Sequence, residues 1–144
     1  MKIASFNING IKARIQLLKE WLKKENPDII GLQELKSDNS NLNKNMFADL
    51  GYSFAYNGQK SYNGCGILSK YEIKNISYFF NGIQEDPQKR WISAEINGIL
   101  ICNLYLPNGN PLGTEKFEYK IHWMKLLYNY LKELQSNGKP ILVM

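Results

Sequence analysis

The alternation of hydrophobic and polar residues divides the first part of the chain into a strand, a helix and a second strand. Residues 2–8 alternate toward apolar character, and residues 28–34 form a short apolar run with a β-branched pair. Between these segments, apolar residues recur at the spacing of one helix face: Ile11, Ile15, Leu18, Trp21 and Leu22. That spacing predicts an amphipathic helix over about 11–25, which Pro27 ends because the residue before a proline is pushed out of the helical region. We therefore expect a right-handed βαβ unit with parallel strands.

Polar residues follow both predicted strands at their carboxyl ends. Asn7 and Asn9 close the first strand, and Glu34 and Lys36 close the second. The run 28–34 has the composition of a strand that is buried on both faces, as in a mostly parallel sheet. Ligands of open α/β sheets bind at the carboxyl ends of strands. We therefore expect Asn7, Asn9 and Glu34 to meet at one edge of the sheet.

The middle of the chain carries turn signals between short apolar segments. A polar loop over 37–45 leads into an expected short helix around 41–50, which Gly51 ends. Short strands are predicted over 52–57, 64–70, 72–80, 90–97 and 99–105. Asn57-Gly58 and Asn97-Gly98 are typical of hairpin turns, because both residue types tolerate positive φ. Short strands after a βαβ unit predict a single α/β domain with an antiparallel or mixed portion.

The last part of the chain contains the longest predicted helix and an apolar ending. Thr114 is the expected N-cap of a helix over 114–136, and Asn137-Gly138 ends it. Its core-facing stripe consists of Phe117, Ile121, Met124, Leu127, Leu131 and Leu134, widened by Trp123, Leu126 and Tyr130. Residues 141–144 begin a buried strand with no polar end and no element to cover it. Because such a strand would leave an unpaired apolar edge, we expect the chain to be the N-terminal part of a longer protein.

The composition indicates the size class and the cellular compartment of the protein more clearly than its function. The 144 residues suit one domain, and the hydrophobic (44%) and charged (22%) fractions are ordinary. A net charge of +5 suits a polyanionic partner such as nucleic acid, although many proteins without such a partner are equally basic. Cys65 and Cys102 stand singly in apolar stretches, which indicates buried thiols in a reducing compartment. No run approaches the roughly 20 apolar residues of a membrane span and no signal peptide is visible, so we expect a cytoplasmic protein.

Glu34 is the leading candidate for chemistry. A carboxylate is a hard oxygen ligand that suits Mg²⁺ or Mn²⁺, and Mg²⁺ takes only one or two protein carboxylates beside substrate phosphate and water. The amide of Asn7 could orient a phosphate oxygen or a carboxylate without adding negative charge. The alternative is a surface ion pair between Glu34 and Lys36, worth about 0–1 kcal/mol.

Later loops carry candidate phosphate contacts. The stretch Ser61-Tyr62-Asn63-Gly64 is either a plain turn or a loop that contacts a nucleic-acid backbone. At the end of another strand, Tyr105 and Asn108 could both donate to a phosphate oxygen. Arg90 offers a guanidinium for phosphate. His122, the single histidine, has no orienting carboxylate, which favours a solvent-facing or packing role.

Several ordered motifs resemble the exodeoxyribonuclease III family of abasic-site endonucleases. The matching stretches are Ile3-Ala4-Ser5-Phe6-Asn7-Ile8-Asn9-Gly10-Ile11, Pro27-Asp28-Ile29-Ile30-Gly31-Leu32-Gln33-Glu34-Leu35-Lys36, Gly58-Gln59-Lys60-Ser61-Tyr62-Asn63-Gly64, Arg90-Trp91-Ile92-Ser93-Ala94-Glu95 and Asn103-Leu104-Tyr105-Leu106-Pro107-Asn108-Gly109. Residues 139–144 resemble the strand that leads into the family's Gly-Asp-x-Asn motif. That motif is absent, as are the family's later Asp residues and its catalytic His. Small departures occur at Phe6, Leu35, Cys65 and Trp91, where the family usually has Trp, Thr, Val and a smaller aliphatic residue.

The resemblance implies a fold and an activity. The fold is a four-layered α/β sandwich of the endonuclease/exonuclease/phosphatase type, of which residues 1–144 are about the first half, as one partial domain. The activity is metal-dependent hydrolysis of phosphodiesters in double-stranded DNA, with Mg²⁺ or Mn²⁺ as cofactor. The expected substrates are duplexes with abasic sites, cut on the 5′ side, and DNA 3′ ends, in base excision repair. A monomer is expected.

The resemblance also implies roles for residues. Glu34 and Asn7 would bind the metal, with Asn9 beside them and Lys36 holding Glu34 in place. Tyr105 and Asn108 would contact the scissile phosphate as catalytic residues. Tyr62, Asn63 and Arg90 would hold the DNA. The family's water-activating Asp has no counterpart here, so the isolated chain is expected to be inactive.

Two other interpretations stay open at this point. One is a phosphoesterase of the same fold that acts on phosphoinositides or sphingolipids, against which the Tyr62-Asn63-Gly64 loop and the Tyr105-x-Pro107-Asn108-Gly109 motif argue. The other is a non-catalytic DNA-binding fragment, or an inert product of a broken reading frame.

Overall fold

Strands and helices alternate along the chain much as the hydrophobic pattern predicts. A computed structural model describes residues 1–144, all of the chain. Its elements are β1 (Ile3–Asn7), α1 (Ile11–Glu25), β2 (Ile29–Gln33), β3 (Ser53–Asn57), β4 (Cys65–Ser69), β5 (Lys74–Ser77), β6 (Trp91–Ile96), β7 (Ile99–Leu104), α2 (Glu115–Ser136) and β8 (Ile141–Val143). Neither helix is long and apolar enough to span a lipid bilayer.

The strands form two four-stranded sheets with the orders β1-β2-β4-β3 and β5-β6-β7-β8. In the first sheet β1 and β2 are parallel and Asn7 pairs with Gln33, which confirms that the first two strands end at the same edge. The expectation of a mostly parallel sheet around β2 is wrong, because β4 runs antiparallel to it. β4 is also antiparallel to β3, the strand that precedes it in the chain, so β1 is the only parallel neighbour of β2.

Three apolar clusters define four layers. Side chains on β2 alternate between two of them: Ile30 and Leu32 pack with Leu18 and Leu22 of α1, whereas Ile29 faces the second sheet. The central cluster fills the space between the sheets with Ile29, Ala55, Cys65, Ile67, Ile92, Ala94, Ile96 and Ile101. A third cluster, around Trp91 and Trp123, joins the second sheet to α2. The order helix, sheet, sheet, helix confirms the predicted four-layered sandwich.

The largest departure from the predicted elements lies between β2 and β3. In place of a helix over 41–50, two 3-10 turns occur, Asn39–Asn41 and Ala48–Leu50. Polar side chains bond to the local backbone there: Asp38 accepts from the Ser40 amide at 2.9 Å, and Asn43 accepts from the Asn45 amide at 2.8 Å. Such side-chain bonds offer the backbone an alternative to helical hydrogen bonds, so the helix does not form.

Two strand predictions also need correction, at 72–80 and at Asn57-Gly58. The strand predicted over 72–80 is only β5, and the register shifts between Lys74 and Ser77. Asn57 is the last residue of β3 rather than a hairpin turn, and its amide donates to the carbonyls of Tyr78 and Trp91 at 3.0 and 2.9 Å. By contrast, Asn97 and Gly98 both have positive φ and form the tight turn between β6 and β7, as predicted.

Helix α2 is buried on a different part of its surface than the stripe predicts. Its one fully buried residue is Trp123, whereas Ile121 and Met124 are 46% and 42% exposed. The buried face is set by the aromatic cluster beneath it, where Phe80 makes an edge contact with Trp123 and stacks on Tyr130, both at 5.3 Å between ring centroids. Thr114 precedes the helix as predicted, but its hydroxyl donates to the Pro111 carbonyl rather than capping it.

Candidate active site

The carboxyl ends of β1 and β2 bring three polar side chains together around one carboxylate. The Asn7 amide donates to Oε1 of Glu34 at 2.7 Å, and Nζ of Lys36 lies 2.9 Å from Oε2. The same ammonium donates to Oδ1 of Asn9 at 2.5 Å, and the backbone amide of Asn9 donates to Oδ1 of Asn7 at 3.0 Å. We call Asn7, Asn9, Glu34, Lys36 and Tyr105 the Glu34 cluster.

An unusual backbone conformation at Glu34 and Lys36 sets the position of the Glu34 carboxylate. Glu34 and Lys36 both have left-handed φ values, 56° and 49°, which are uncommon outside glycine. Neighbouring loops hold this conformation: the Gly10 amide donates to the Glu34 carbonyl at 2.8 Å, and the Lys36 amide donates to the Asn63 carbonyl at 2.9 Å. Residues in sparsely populated backbone regions persist only where the surrounding structure fixes them.

Backbone hydrogen bonds then link this loop to the second sheet. Gly64 accepts from the Leu35 amide at 3.1 Å and donates to the Lys89 carbonyl at 2.8 Å. The amide of Tyr105 donates to the Arg90 carbonyl at 2.8 Å. The segments that follow β2 and β7 and precede β4 and β6 therefore form one connected rim at one end of the sandwich.

A buried polar bridge lies directly below this rim, between the two sheets. Asn103 is fully buried in β7, and its Oδ1 accepts from the Gln33 side chain at 2.6 Å. Its amide donates to the carbonyls of Leu32 and Gly66, both at 2.8 Å. Because Gln33 precedes Glu34 and Asn103 lies two residues before Tyr105, the bridge fixes the two sheets where they carry these side chains.

The Glu34 carboxylate is held in its charged form. Burial alone would raise the pKa of Glu34, but hydrogen bonds from Asn7, Lys36 and Tyr105, together with the charge of Lys36, outweigh it and lower that pKa. Burial and the interaction with Glu34 raise the pKa of the Tyr105 phenol above its usual value. At neutral pH the cluster therefore contains a carboxylate beside a protonated phenol, an acceptor beside a donor.

A second group of side chains lies next to the Glu34 cluster and is cationic. A cavity of about 430 Å³ is lined by Gln59, Tyr62, Asn63, Gln88, Arg90, Pro107, Asn108, Gly109, Lys116 and Tyr119. The guanidinium of Arg90 lies 5.0 Å from the ring centroid of Tyr105 and 6.0 Å from that of Tyr119. We call Arg90, Tyr119 and Gln88 the Arg90 cluster.

The structure brings all nine predicted site residues to this rim. Hydrogen bonds and an ion pair join Asn7, Asn9, Glu34 and Lys36, and Tyr105 interacts with Glu34. The neighbouring cavity is lined by Tyr62, Asn63, Arg90 and Asn108. Tyr62 is 69% exposed and free to meet a ligand. Asn63 is only 8% exposed, and its amide donates to Gln59 at 2.9 Å and to Gln88 at 3.4 Å. Its predicted DNA contact stays a prediction.

Sequence reasoning missed several residues of the rim. Gln33 and Asn103 look like ordinary polar residues at strand ends, and only the face-to-face packing of the sheets reveals their bridge. Tyr119 lies on a helix that was interpreted as core-facing. Lys116 and Lys120 could have been predicted from the sequence, because they follow the Pro107-Asn108-Gly109 loop closely. In the structure Lys120 donates to the Asn108 carbonyl at 3.3 Å. His122 is exposed and takes no part in the rim.

The oxygen donors of the Glu34 cluster suit a hard divalent cation. They comprise one carboxylate and the side-chain oxygens of two asparagines, which in this structure accept from N–H groups of the cluster itself. No group of three or more His, Cys, Asp or Glu side chains forms a metal cage in the chain. Mg²⁺ needs only one or two protein carboxylates when substrate and water complete its shell. The donor set therefore fits a cation that is bound together with a substrate, rather than a permanently caged ion.

Comparison with known proteins places the chain among nucleases and phosphatases. Residues 4–144 match the model of the Endonuclease/Exonuclease/phosphatase family. Exodeoxyribonuclease III of Haemophilus influenzae is 38% identical over 149 aligned residues, which cover 100% of this chain and 56% of that protein. The chain spans about half the length of the curated relatives it matches.

Solved structures agree with this match. An AP endonuclease from Archaeoglobus fulgidus superposes with a TM-score of 0.87 at 36% identity, covering 92% of this chain and 51% of that one. The Neisseria 3′ phosphatase NExo, bound to a product DNA hairpin, superposes with a TM-score of 0.92 at 32% identity. That alignment covers 99% of this chain and 56% of the phosphatase chain.

Proposed function

The chain belongs to the endonuclease/exonuclease/phosphatase family, and from this premise we propose that it is the N-terminal part of a DNA-repair nuclease of the exodeoxyribonuclease III type. The proposed reaction is metal-dependent hydrolysis of phosphodiesters in double-stranded DNA, on the 5′ side of abasic sites and at 3′ ends. We further propose that the protein is a cytoplasmic monomer.

One observation carries this proposal: an ionised carboxylate and a cationic cavity share one rim. Glu34 accepts from Asn7 and pairs with Lys36, while Arg90 lies against the ring of Tyr105, whose phenol interacts with Glu34. A phosphodiester needs a cation near its non-bridging oxygens and donors toward the charge that develops during hydrolysis. The two clusters supply both within one connected set of loops.

Each residue of the Glu34 cluster has a proposed role. Glu34 and Asn7 would hold Mg²⁺ or Mn²⁺, which when bound supplies Lewis-acid stabilisation of the phosphate charge. Lys36 and Asn9 keep the carboxylate ionised and oriented. Tyr105, a phenol that is protonated at neutral pH and whose raised pKa keeps it so in more alkaline solution, would donate to a non-bridging oxygen of the scissile phosphate. Asn108, exposed at the cavity wall, would donate a second hydrogen bond.

DNA binding is proposed for the cationic side of the rim. None of the six ion pairs in the chain involves Lys60, Lys89, Arg90 or Lys116. Cations without carboxylate partners keep their potential for phosphates, and most hydrogen bonds between proteins and DNA go to the backbone. Tyr62 and Asn63 would add contacts from the loop between β3 and β4.

The test is cleavage of a labelled duplex with one abasic site by the native protein that carries these residues, in Mg²⁺. We expect a nick on the 5′ side of the abasic site, and loss of a 3′-terminal phosphate from a second duplex. The matched control is Glu34→Gln, which keeps the size of the side chain but removes its charge and one of its two acceptor oxygens. The 144-residue chain alone is expected not to cleave, and cleavage by it would contradict that part of the proposal.

Two outcomes would favour other functions. Hydrolysis of phosphoinositides or sphingolipids with no cleavage of DNA would make the protein a phosphoesterase on a non-DNA substrate. Binding of the abasic duplex without cleavage, by wild type and Glu34→Gln alike, would make it a non-catalytic DNA-binding protein. Either result overturns the nuclease proposal.

A further inference from the structure

Arg90 is bonded to Tyr105 through three separate contacts. Its guanidinium covers the Tyr105 ring at 5.0 Å, Nη1 donates to the Tyr105 carbonyl at 3.1 Å, and its own carbonyl accepts from the Tyr105 amide at 2.8 Å. Two of these contacts come from the guanidinium, so the Arg90 side chain holds the ring and the carbonyl of Tyr105, the residue whose phenol interacts with Glu34.

Arg90 is itself held without any carboxylate partner. Its Nε donates to Oε1 of Gln88 at 2.9 Å, and it takes part in none of the ion pairs of the chain. The remaining support is the ring of Tyr119, whose centroid lies 6.0 Å from the guanidinium carbon. Stacking on an aromatic face attracts a guanidinium but leaves its charge available to an anion.

Tyr119 is fixed by a carboxylate that belongs to the loop before β6. Its hydroxyl donates to Oδ2 of Asp86 at 2.7 Å, while Oδ1 of Asp86 accepts from the Gln88 amide at 2.8 Å. Asp86 thus ties the first turns of α2 to the segment that carries Gln88 and Arg90. Burial and this hydrogen bond raise the pKa of the Tyr119 phenol, so it remains a donor at all ordinary pH values.

We propose that Tyr119 is a positioning residue of the site, which acts through Arg90 on Tyr105. Anchored by Asp86, its ring keeps the guanidinium of Arg90 against the ring and carbonyl of Tyr105. The consequence for catalysis rests on the proposed nuclease function, whereas the positioning of Arg90 does not.

The competing explanation is that Tyr119 only fills space. Its ring packs at the margin of the apolar cluster around Trp91 and Trp123. A space-filling residue would tolerate loss of the hydroxyl, because phenylalanine has nearly the same volume. A positioning residue would not, since the hydroxyl sets where the ring lies. Tyr119→Phe therefore separates the two explanations without creating a cavity.

The chain offers a direct readout, because it contains only two arginines, Arg14 and Arg90. In a ¹⁵N-arginine-labelled sample of the native protein, the Nε–Hε signals of Arg14 and Arg90 are identified by their loss in Arg14→Lys and Arg90→Lys, and only the Arg90 side chain lies near two tyrosine rings. We expect the Arg90 signal to be displaced and rigid in wild type. In Tyr119→Phe and Asp86→Ala it should move toward the Arg14 position, with a reduced heteronuclear NOE.

Tyr130→Phe is the matched control. Tyr130 is a half-buried tyrosine on the same helix that stacks on Phe80 and makes no contact with Arg90. Its variant should leave both arginine signals unchanged. An Arg90 signal that is the same in wild type, Tyr119→Phe and Asp86→Ala would overturn the positioning role, as would an equal displacement in Tyr130→Phe.

Activity of the native protein gives the second readout. Tyr119→Phe should lower kcat for the abasic duplex by about tenfold with KM changed by less than about threefold, because small displacements of positioned groups act on the chemical step. Tyr130→Phe should change neither constant. If wild type cleaves no DNA, the nuclease proposal fails while the arginine signals still decide the role of Tyr119. If wild type cleaves and Tyr119→Phe is fully active, the positioning role fails alone.

Discussion

The Glu34 cluster and the Arg90 cluster share one rim, but the charge of Glu34 is paired with an opposite charge and that of Arg90 is not. Glu34 is surrounded by donors: an amide, an ammonium at 2.9 Å and a phenol. Arg90 has no carboxylate partner and lies between two tyrosine rings, bonded only to neutral oxygens. The negative charge of Glu34 is offset by the ammonium of Lys36. The positive charge of Arg90 is not offset by any ion pair, so it remains available to a bound anion.

This difference separates two tasks of a phosphodiester site. A compensated carboxylate can stay ionised near a phosphate without repelling it, because the adjacent ammonium offsets its charge. An uncompensated guanidinium can attract the phosphate itself. Tyr105 belongs to both arrangements, since its phenol faces Glu34 and its ring lies under Arg90. The predictions below disturb each cluster, and the bridge beneath them, in separate variants.

Removing the charge of Glu34 should have the largest effect. We expect Glu34→Gln to lower kcat of the native protein by about 10³-fold, roughly 4 kcal/mol, because both the proposed metal ligand and the acceptor for Tyr105 are weakened. The circular dichroism spectrum should not change. Glu95→Gln, at an exposed ion pair with Lys139, is the control and should remain fully active. A Glu34→Gln protein with wild-type kcat would refute the assignment.

Breaking the bridge between the sheets should affect stability next most strongly. Asn103→Ala removes three buried hydrogen bonds and leaves the carbonyls of Leu32 and Gly66 without a hydrogen-bond partner. We therefore expect the free energy of unfolding to fall by about 3 kcal/mol. Urea unfolding measures the loss. Ser5→Ala, which removes one hydrogen bond at the edge of the same bridge, should cost less than about 1 kcal/mol. Equal losses in both variants would show that the bridge is not the stabilising element.

Replacing the guanidinium of Arg90 should weaken the cationic cluster alone. Arg90→Lys keeps the charge but cannot lie between two rings and bond Gln88 and Tyr105 together, so we expect the Kd for duplex DNA to rise by roughly tenfold. Fluorescence anisotropy with a labelled duplex measures this change. Lys2→Arg, at an exposed ion pair with Glu25, is the control. Identical Kd values for wild type and Arg90→Lys would show that Arg90 is not a DNA contact.

The two clusters also differ in how far the sequence reveals them. Asn7 and Glu34 were predictable, because the βαβ pattern makes their strands parallel neighbours and so places both residues at one edge. Arg90 was recognisable as a candidate phosphate ligand from its charge, but its partners were not. Gln88 lies in a loop that has no periodic pattern, and Tyr119 lies on α2, whose buried face differs from the one that its apolar spacing predicts. Tyr119 and Asp86 lie 33 positions apart and meet only after α2 packs on the second sheet.

The same contrast applies to the fold. The periodicity of hydrophobic residues correctly predicted both long helices and the succession of strands along the chain, because that periodicity determines which face of an element can be buried. It failed over 41–50, where the Asp38 and Asn43 side chains bond to nearby backbone amides in place of a helix. It also failed for the rotation of α2, where the shape of the Phe80 and Trp91 surface decides which side chains are buried. Such three-dimensional fits are not encoded in spacing.

The smallest predicted effect concerns pH. Because the pKa of Glu34 is lowered in the folded protein, its charge stabilises the fold above its unfolded pKa of about 4.3, and this contribution disappears as the pH falls through the folded value. Between pH 6 and pH 3, wild type should therefore lose more stability than Glu34→Gln, by less than about 1 kcal/mol. Urea unfolding at each pH measures the difference.

Salt distinguishes this contribution from that of a surface carboxylate. Asp49 also has a lowered pKa, through its hydrogen bond with Lys19, but its side chain is 58% exposed against 16% for Glu34. Salt screens exposed pairs far more than partly buried ones. In about 1 M NaCl, where the Debye length is about 3 Å, the pH-dependent difference between wild type and Asp49→Asn should vanish, whereas that for Glu34→Gln should persist. If both differences vanish together, Glu34 is only a surface ion pair, and the contrast between the two clusters fails at its anionic side.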